Sequence, residues 1–287
     1  MGSPSREGEV IDGKYRILHK LGEGGMGAVY AGEHLRLKRT VAIKMLHGAA
    51  SAQQDMAERF EREAQAAGQI GSDHIVEVYD IGQTPAGERF MVLEYLDGES
   101  LRTRLKRERR LSVGRAAALT MQVLTGLGAA HVAGIIHRDL KPDNVFILKE
   151  KAGRAQFVKI LDFGISKFTQ LGESGSTTRT GTVMGSPNYM SPEHVQAANR
   201  VDARSDLYSI GIMVFEMVTG TIPRKGSTFA ELLFTVVYEP VPDPRTLVPD
   251  LDPAFAALIL RACSQKPEER FASAAEFAAA LAPFSGI

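Results

Sequence analysis

The glycines of 22-GEGGMGAVY-30 constrain this chain more than any other feature. Gly22, Gly24 and Gly27 have the G-x-G-x-x-G spacing, which lets backbone amides approach a phosphate because no Cβ stands in the way. Two unrelated architectures use that spacing. In a dinucleotide-binding crossover a helix must follow the glycines at once, since the pyrophosphate rests on the helix N-terminus. Here 28-AVYAGEHL-35 and 39-RTVAIKML-46 follow instead, short alternating or β-branched runs that read as strands. The preceding 14-KYRILHKL-21 also reads as a strand. Strand, glycine loop, strand makes a hairpin lid over phosphates. The third strand carries Lys44 in VAIK, a cation on a rigid element, and 55-DMAERFEREAQAAGQI-70 reads as a charged helix with Glu63 near its middle. A Lys–Glu pair there would hold the lysine against anionic phosphates.

The remaining composition sets bounds. The 287 residues suffice for two modest domains or one bilobal one. Lys+Arg and Asp+Glu are 34 each, so bulk charge gives no reason to expect nucleic acid or an anionic membrane as partner. One cysteine, Cys263, excludes an internal disulfide and a thiol cluster for zinc, and is simplest as a small buried thiol. The first ten residues, MGSPSREGEV, lack the apolar core of a secretory signal, and Arg6 stands where a myristoylation signal needs Ser or Thr. The run 116-AAALTMQVLTGLGAAHVAGII-136 has no formal charge over a membrane-spanning length. Its Thr120, Gln122, Thr125, His131 and glycines make a helix buried in a globular core the better reading.

Further along, 137-HRDLKPDNV-145, 162-DFG-164, 185-GSPNYMSPE-193, 206-DLYSIG-211 and 267-PEERF-271 follow in order. With the glycine loop and VAIK, this ordered set resembles the protein kinase family over nearly the whole chain, in the style of bacterial Hanks-type serine/threonine kinases. The resemblance implies an α+β, bilobal protein kinase-like fold with a small β-rich N-lobe and a large α-helical C-lobe. It puts an N-terminal tail at 1–14 and the kinase domain at 15–287. Within that domain the N-lobe covers about 15–93, a hinge 94–98 and the C-lobe 99–284.

The resemblance also implies roles. Asp139 is the base that accepts the substrate hydroxyl proton, and Lys141 contacts the γ-phosphate, as in kinases that act on Ser or Thr. Taken alone, Asp139 would be read as a helix or turn cap. Lys44 and Glu63 form the phosphate-anchoring pair. Asn144 and Asp162 hold Mg²⁺, with Mn²⁺ as the alternative ion; without the motif both would be ordinary loop residues. Leu21, Val29, Ala42, Leu93, Phe146 and Leu161 would wall the adenine, each otherwise a plain core residue. The Glu94 carbonyl and the Leu96 amide would bond its edge, and Gly22, Gly24 and Gly27 would cover the phosphates. His137 and Phe163 are packing residues. Asp206 would cap amides of the catalytic loop, and Glu193 and Arg270 would pair to tie the activation segment down. Ser186 stands where the family usually has threonine, which keeps the hydroxyl.

Between Asp162 and Glu193 lies the hydroxyl-rich 174-SGSTTRTGTVMGS-186, a plain polar loop by composition and the place where such kinases are switched. Thr178 and Thr180 are the expected autophosphorylation sites, with Arg138, Lys167 and Arg59 as the basic groups that would receive the phosphate. The basic run 102-RTRLKRERR-110 reads as a solvated helix face, with docking of an acidic substrate as the less favoured alternative. Expected partners are protein substrates bearing Ser or Thr, and a second copy for trans-autophosphorylation. Nucleic acid and a membrane span within this chain are not expected. The expected location is the cytoplasm, either as a free domain or as the cytosolic part of a longer, membrane-anchored protein. The competing readings are a pseudokinase acting as nucleotide sensor or interaction module, and a small-molecule kinase. Lys44, Asp139, Asn144 and Asp162 give the first no support, and Lys141 with the SPE segment disfavours the second.

Overall fold

The structure is a computed structural model that describes residues 6–24, 27–47, 51, 54–151, 153–163, 187–196 and 200–286, with the side chains at 55, 59 and 154 left aside. Its contacts divide the chain into two compact units, one of 1–69 with 76–97 and the other of 70–75 with 98–287. One unit is a sheet with a helix and the other is mainly helical, as expected of a small β-rich lobe and a large helical one.

The first unit is a six-stranded antiparallel sheet. Its strands are β1 (Val10–Ile11), β2 (Tyr15–Glu23), β3 (Gly27–His34), β4 (Arg39–Leu46), β5 (Val78–Gln83) and β6 (Arg89–Glu94), in the order β1-β2-β3-β4-β6-β5. Helix α1 (Gln54–Gln69) joins β4 to β5 in sequence. Strand alternation sorts β4 cleanly. Val41, Ile43 and Met45 enter a closed core with Ile11, Tyr15, Ile17, Phe90 and Val92. Ala42 and Lys44 therefore take the other face. The tail expected over 1–14 is structured in its second half: Val10–Ile11 pair with Tyr15–Arg16, and Ile11 is buried.

The second unit is organised on α3 (Val113–Val132) and α5 (Ala203–Thr219). Around them lie α2 (Leu101–Glu108), α4 (Pro192–Gln196), α6 (Phe229–Tyr238), α7 (Pro253–Ala262) and α8 (Ala274–Leu281). A three-stranded sheet of β7 (Gly98–Ser100), β8 (Val145–Leu148) and β11 (Val158–Ile160), and a small hairpin of β9 (Glu150–Lys151) with β10 (Arg154–Ala155), complete it. The uncharged run expected to be a core helix is α3, capped by Ser112 and buried along Ala116, Leu119, Val123, Leu124 and Leu127. No described helix is long and apolar enough to cross a membrane.

Helix α5 is buried on every side from Ser205 to Val218, so its sequence shows a continuous apolar run instead of a stripe. Gly211 permits this: a Cβ there would lie 2.6 Å from Cys263 Sγ and 2.8 Å from Ala262 Cβ on α7. Cys263 is a buried thiol whose pKa burial pushes up to about 12.

Residues 70–75 belong with the helical unit for a hydrogen-bonding reason. Ile160 N donates to His74 O at 2.7 Å, and the buried Lys159 Nζ donates to Ile75 O at 3.0 Å. The basic run on α2 is more engaged than a solvated face would be. Arg104 and Arg107 both bind Glu99, and Arg102 binds Glu216.

Candidate active site

In the sheet unit, register gathers the nucleotide-side candidates. Directly opposed residues in an antiparallel pair share a face. Val29, Lys44 and Met91 form one cross-strand row, and Ala31, Ala42 and Leu93 form the next. Gly22 lies opposite Val29 on β2. Val29, Lys44, Ala42 and Leu93 therefore share the sheet face opposite the closed core. Ala42 and Leu93 are buried, Val29 is half-buried and Leu21 is exposed. Lys44 Nζ reaches Glu63 Oε2 on α1 at 3.3 Å, with both side chains largely shielded. Glu94 anchors the end of β6, its amide donating to Glu77 O and its carboxylate accepting from Glu77 N at 2.8 Å. Leu96 follows, half-buried, at the end of this unit.

The three glycines are not equivalent. A Cβ on Gly27 would lie 1.9 Å from Met45 O, so the β3–β4 pairing itself requires glycine there. A Cβ on Gly22 or Gly24 would meet nothing within 4 Å. The packing of the described residues therefore does not itself demand glycine at those two positions.

In the helical unit the chemistry gathers on one loop. Lys141 Nζ stands 3.0 Å from Asp139 Oδ2. Asn144, in the tight turn Pro142–Asn144, donates from Nδ2 to Asp139 O at 2.9 Å. Its Oδ1 is thereby left as the amide's acceptor, an oxygen suited to a hard cation. Asp162 sits at φ 40, an exposed carboxylate held in a backbone region L-residues rarely adopt. Among the described residues no three His, Cys, Asp or Glu side chains cluster as a metal site. The oxygens of Asn144 and Asp162 suit Mg²⁺, which commonly takes only one or two protein carboxylates and completes its shell with phosphate and water.

The loop is braced from below. Asp206 on α5, wholly buried, accepts from the amides of His137 and Arg138, each at 2.9 Å, and from His131 Nε2 at 2.8 Å. Burial works to raise its pKa, and the His131 bond with these neighbours outweighs it and holds the carboxyl below its usual range. Arg138 is held at φ 66 by this arrangement. His137 donates from Nε2 to Leu161 O at 2.9 Å and packs on Phe163, ring centroids 4.8 Å apart. Burial lowers its pKa, which favours the neutral imidazole. Leu161 N returns to Asn144 O, joining the segment before Asp162 to the loop. Phe146 lies half-buried on β8 between Ser100 and Lys159.

Glu193 and Arg270 meet in a buried two-pronged pair at 2.7 and 2.8 Å. Arg270 also donates to the carbonyls of Ser264, Arg204 and Gln265, so all five of its N–H groups are used. Burial works to raise Glu193, and Arg270 and Ser205 bring it down to about 2.

Thr178, Thr180, Lys167 and Ser186 lie outside the described residues, as does the side chain of Arg59. The structure gives His131, in sequence only a polar residue of an uncharged helix, a contact with Asp206. It adds a second polar cluster, in which Arg102 donates to Glu216 at 2.7 Å and to Tyr189 Oη at 2.5 Å. Tyr189 lies within the 185-GSPNYMSPE-193 motif and Arg102 opens the basic run read as a solvated face, whereas Glu216 has no local signal.

Residues 15–280 match the protein kinase domain family. Among curated relatives, serine/threonine-protein kinase Pkn1 of Myxococcus xanthus is 40% identical over 94% of this chain and 38% of its own length. Serine/threonine-protein kinase pkn3 of the same organism is 39% identical over 96% of this chain and 50% of its own. The chain thus spans between a third and a half of those relatives. Among solved structures, the Mycobacterium tuberculosis PknI kinase domain is similar with a TM-score of 0.73 and 28% identity, covering 99% of each chain. Since the family match takes in nearly all of the sequence, the chain belongs to the protein kinase family.

Proposed function

We propose that this chain transfers the γ-phosphate of ATP to serine and threonine hydroxyls of proteins. The observation that carries the reading is Lys141 Nζ at 3.0 Å from Asp139 Oδ2, on a loop whose Asn144 binds the Asp139 carbonyl. A cation beside the carboxylate supports the reading, since a transferring phosphoryl group needs its charge offset where a hydroxyl is deprotonated.

Phosphoryl transfer spreads charge over peripheral oxygens, so positioning and neutralisation are the protein's tasks. Asp139 orients the substrate hydroxyl and takes its proton. The hydroxyl oxygen forms the new bond to γ-phosphorus as the bond to the bridging oxygen breaks, and ADP leaves with that electron pair. Lys141 neutralises the moving group. Lys44, steadied by Glu63, holds the remaining phosphates. Mg²⁺, or Mn²⁺, held by Asn144 and Asp162 would neutralise phosphate oxygens. Val29, Ala42, Leu93, Phe146 and Leu161 would take the adenine.

The same reading makes Thr178 and Thr180 sites of autophosphorylation between two copies, with Arg138, Lys167 and Arg59 as receivers of the phosphate. It places the domain in the cytosol, free or as part of a membrane-anchored protein. Incubating purified protein with Mg-ATP and following intact mass and phosphosites tests it. Time-dependent gain on activation-segment threonines is the expected result. ATP binding without any phosphate gain on the chain or on a protein substrate would replace the reading with a nucleotide sensor.

A further inference from the structure

One guanidinium in the helical unit bonds to three segments at once. Arg102, on the first turn of α2, donates from Nη1 to Glu216 Oε1 on α5 at 2.7 Å. It donates from Nη2 to Tyr189 Oη at 2.5 Å, in the turn Pro187–Tyr189 that enters the SPE segment. It donates from Nε to Asp143 Oδ2 at 3.3 Å, in the Pro142–Asn144 turn of the catalytic loop. Tyr189 Oη in turn donates to Glu216 Oε2 at 2.5 Å, and Tyr189 O accepts from Ser209 Oγ at 2.7 Å. Burial and the neighbouring Glu216 push the Tyr189 hydroxyl's pKa up, so it stays a donor.

We propose that Arg102 is a positioning residue for phosphoryl transfer, a three-way tie that registers the catalytic-loop turn at Asp143 against Tyr189 and the core helix α5. The proposal rests on the kinase reading given above. Its physical basis is the order in which the bonds can form. Glu216 and Tyr189 are buried and fixed by α5, so they immobilise the guanidinium. Asp143 is half exposed, and an exposed pair by itself is worth little. An arginine already ordered by two buried partners loses little further side-chain entropy in making the third bond. Asp143 sits between Pro142 and Asn144 in a single tight turn. Asn144 N bonds Lys141 O at 2.9 Å, and Asn144 Nδ2 bonds Asp139 O. A turn loosened at Asp143 therefore disturbs the placement of Asn144 and Lys141 against Asp139. Only the planar fork of arginine offers three donors in these directions, so lysine cannot replace it.

The test uses Arg102→Ala, Arg102→Lys and Tyr189→Phe in two readouts. The first is amide hydrogen exchange, which needs no activity. Exchange at Asp143, Asn144 and Val145 should rise about tenfold in Arg102→Ala while Leu207–Val218 of α5 stay protected. The second is steady-state peptide phosphorylation. The kcat should fall about 10- to 100-fold with the ATP KM within about twofold, and Arg102→Lys should recover melting temperature but not kcat. Tyr189→Phe should show a smaller fall of the same kind. Unchanged exchange at the loop in Arg102→Ala would overturn the proposal, even in a chain that proved inactive. So would a wild-type kcat in Arg102→Ala, or a loss that Arg102→Lys restores in step with stability. An inactive wild type with the expected exchange pattern would sink the kinase reading alone.

Discussion

The two lobes each contain a cation–glutamate pair, and they are built differently. Lys44 meets Glu63 at 3.3 Å through one carboxylate oxygen, with the side chains 18% and 14% exposed. Arg270 meets Glu193 through both, at 2.7 and 2.8 Å, with exposures of 0% and 9%. The arginine pair has every donor used and a serine hydroxyl on the carboxylate. It is a closed structure that can give nothing away. The lysine pair joins a point charge on a strand to a helix, and neither side chain is fully buried. A flexible lysine suits a pair that must share its charge with a ligand, and a forked arginine suits a pair that must not move.

The largest effect that would sharpen this contrast is on stability. Arg270→Ala strands a buried carboxylate and should destabilise the fold by about 3–5 kcal/mol. Equilibrium urea unfolding measures it, and a loss below about 1 kcal/mol would break the distinction. Glu63→Gln should do the reverse. Phosphorylation rate should fall about 10- to 100-fold, which is about 1.4–2.7 kcal/mol of barrier, while unfolding free energy changes by less than about 1 kcal/mol. A stability loss matching that of Arg270→Ala would show both pairs to be structural.

The gentlest test is pH. Glu193 and Asp206 have carboxyls held below their usual range, and His137 is buried neutral with a lowered pKa. In all three the unfolded chain binds more protons, so stability is present near neutrality and is lost as pH falls. The His137 share goes first, below its unfolded value of 6.5, and the Glu193 share between 4.5 and about 2. The midpoint of thermal unfolding should therefore decline from pH 7 to pH 4, and a flat profile would contradict the bracing described for the loop.

The lobes also differ in how far they could be read from sequence. Strands β2, β3 and β4 were legible because alternation and glycine spacing are local signals. The Lys44–Glu63 pair was legible because both partners sit on elements with clear periodicity. The short β1 was not, since two residues are below any periodic window and Ile11 is buried only through its partners. The candidate catalytic residues around Asp139 were legible through motif resemblance, not through periodicity. Arg102, Asp143, Tyr189 and Glu216 lie far apart in sequence, and only the packing of α2 and the catalytic turn around α5 brings them together. The basic run over 102–110 looked like a solvated face because its acidic partners, Glu99 and Glu216, are ordinary residues until the helices are placed. Gly22, Gly24 and Gly27 looked alike, although only Gly27 is demanded by the backbone of the next strand.

The proposed division of labour gives Asp139 the proton transfer and leaves other groups to bind and hold the nucleotide. Asp139→Asn separates these most directly, by measuring Mg-ATP affinity and phosphate transfer to a serine- or threonine-containing protein on the same sample. Near-wild-type affinity with a transfer rate lower by about 10²–10⁴ is the expected result. Transfer at the wild-type rate in Asp139→Asn would contradict it.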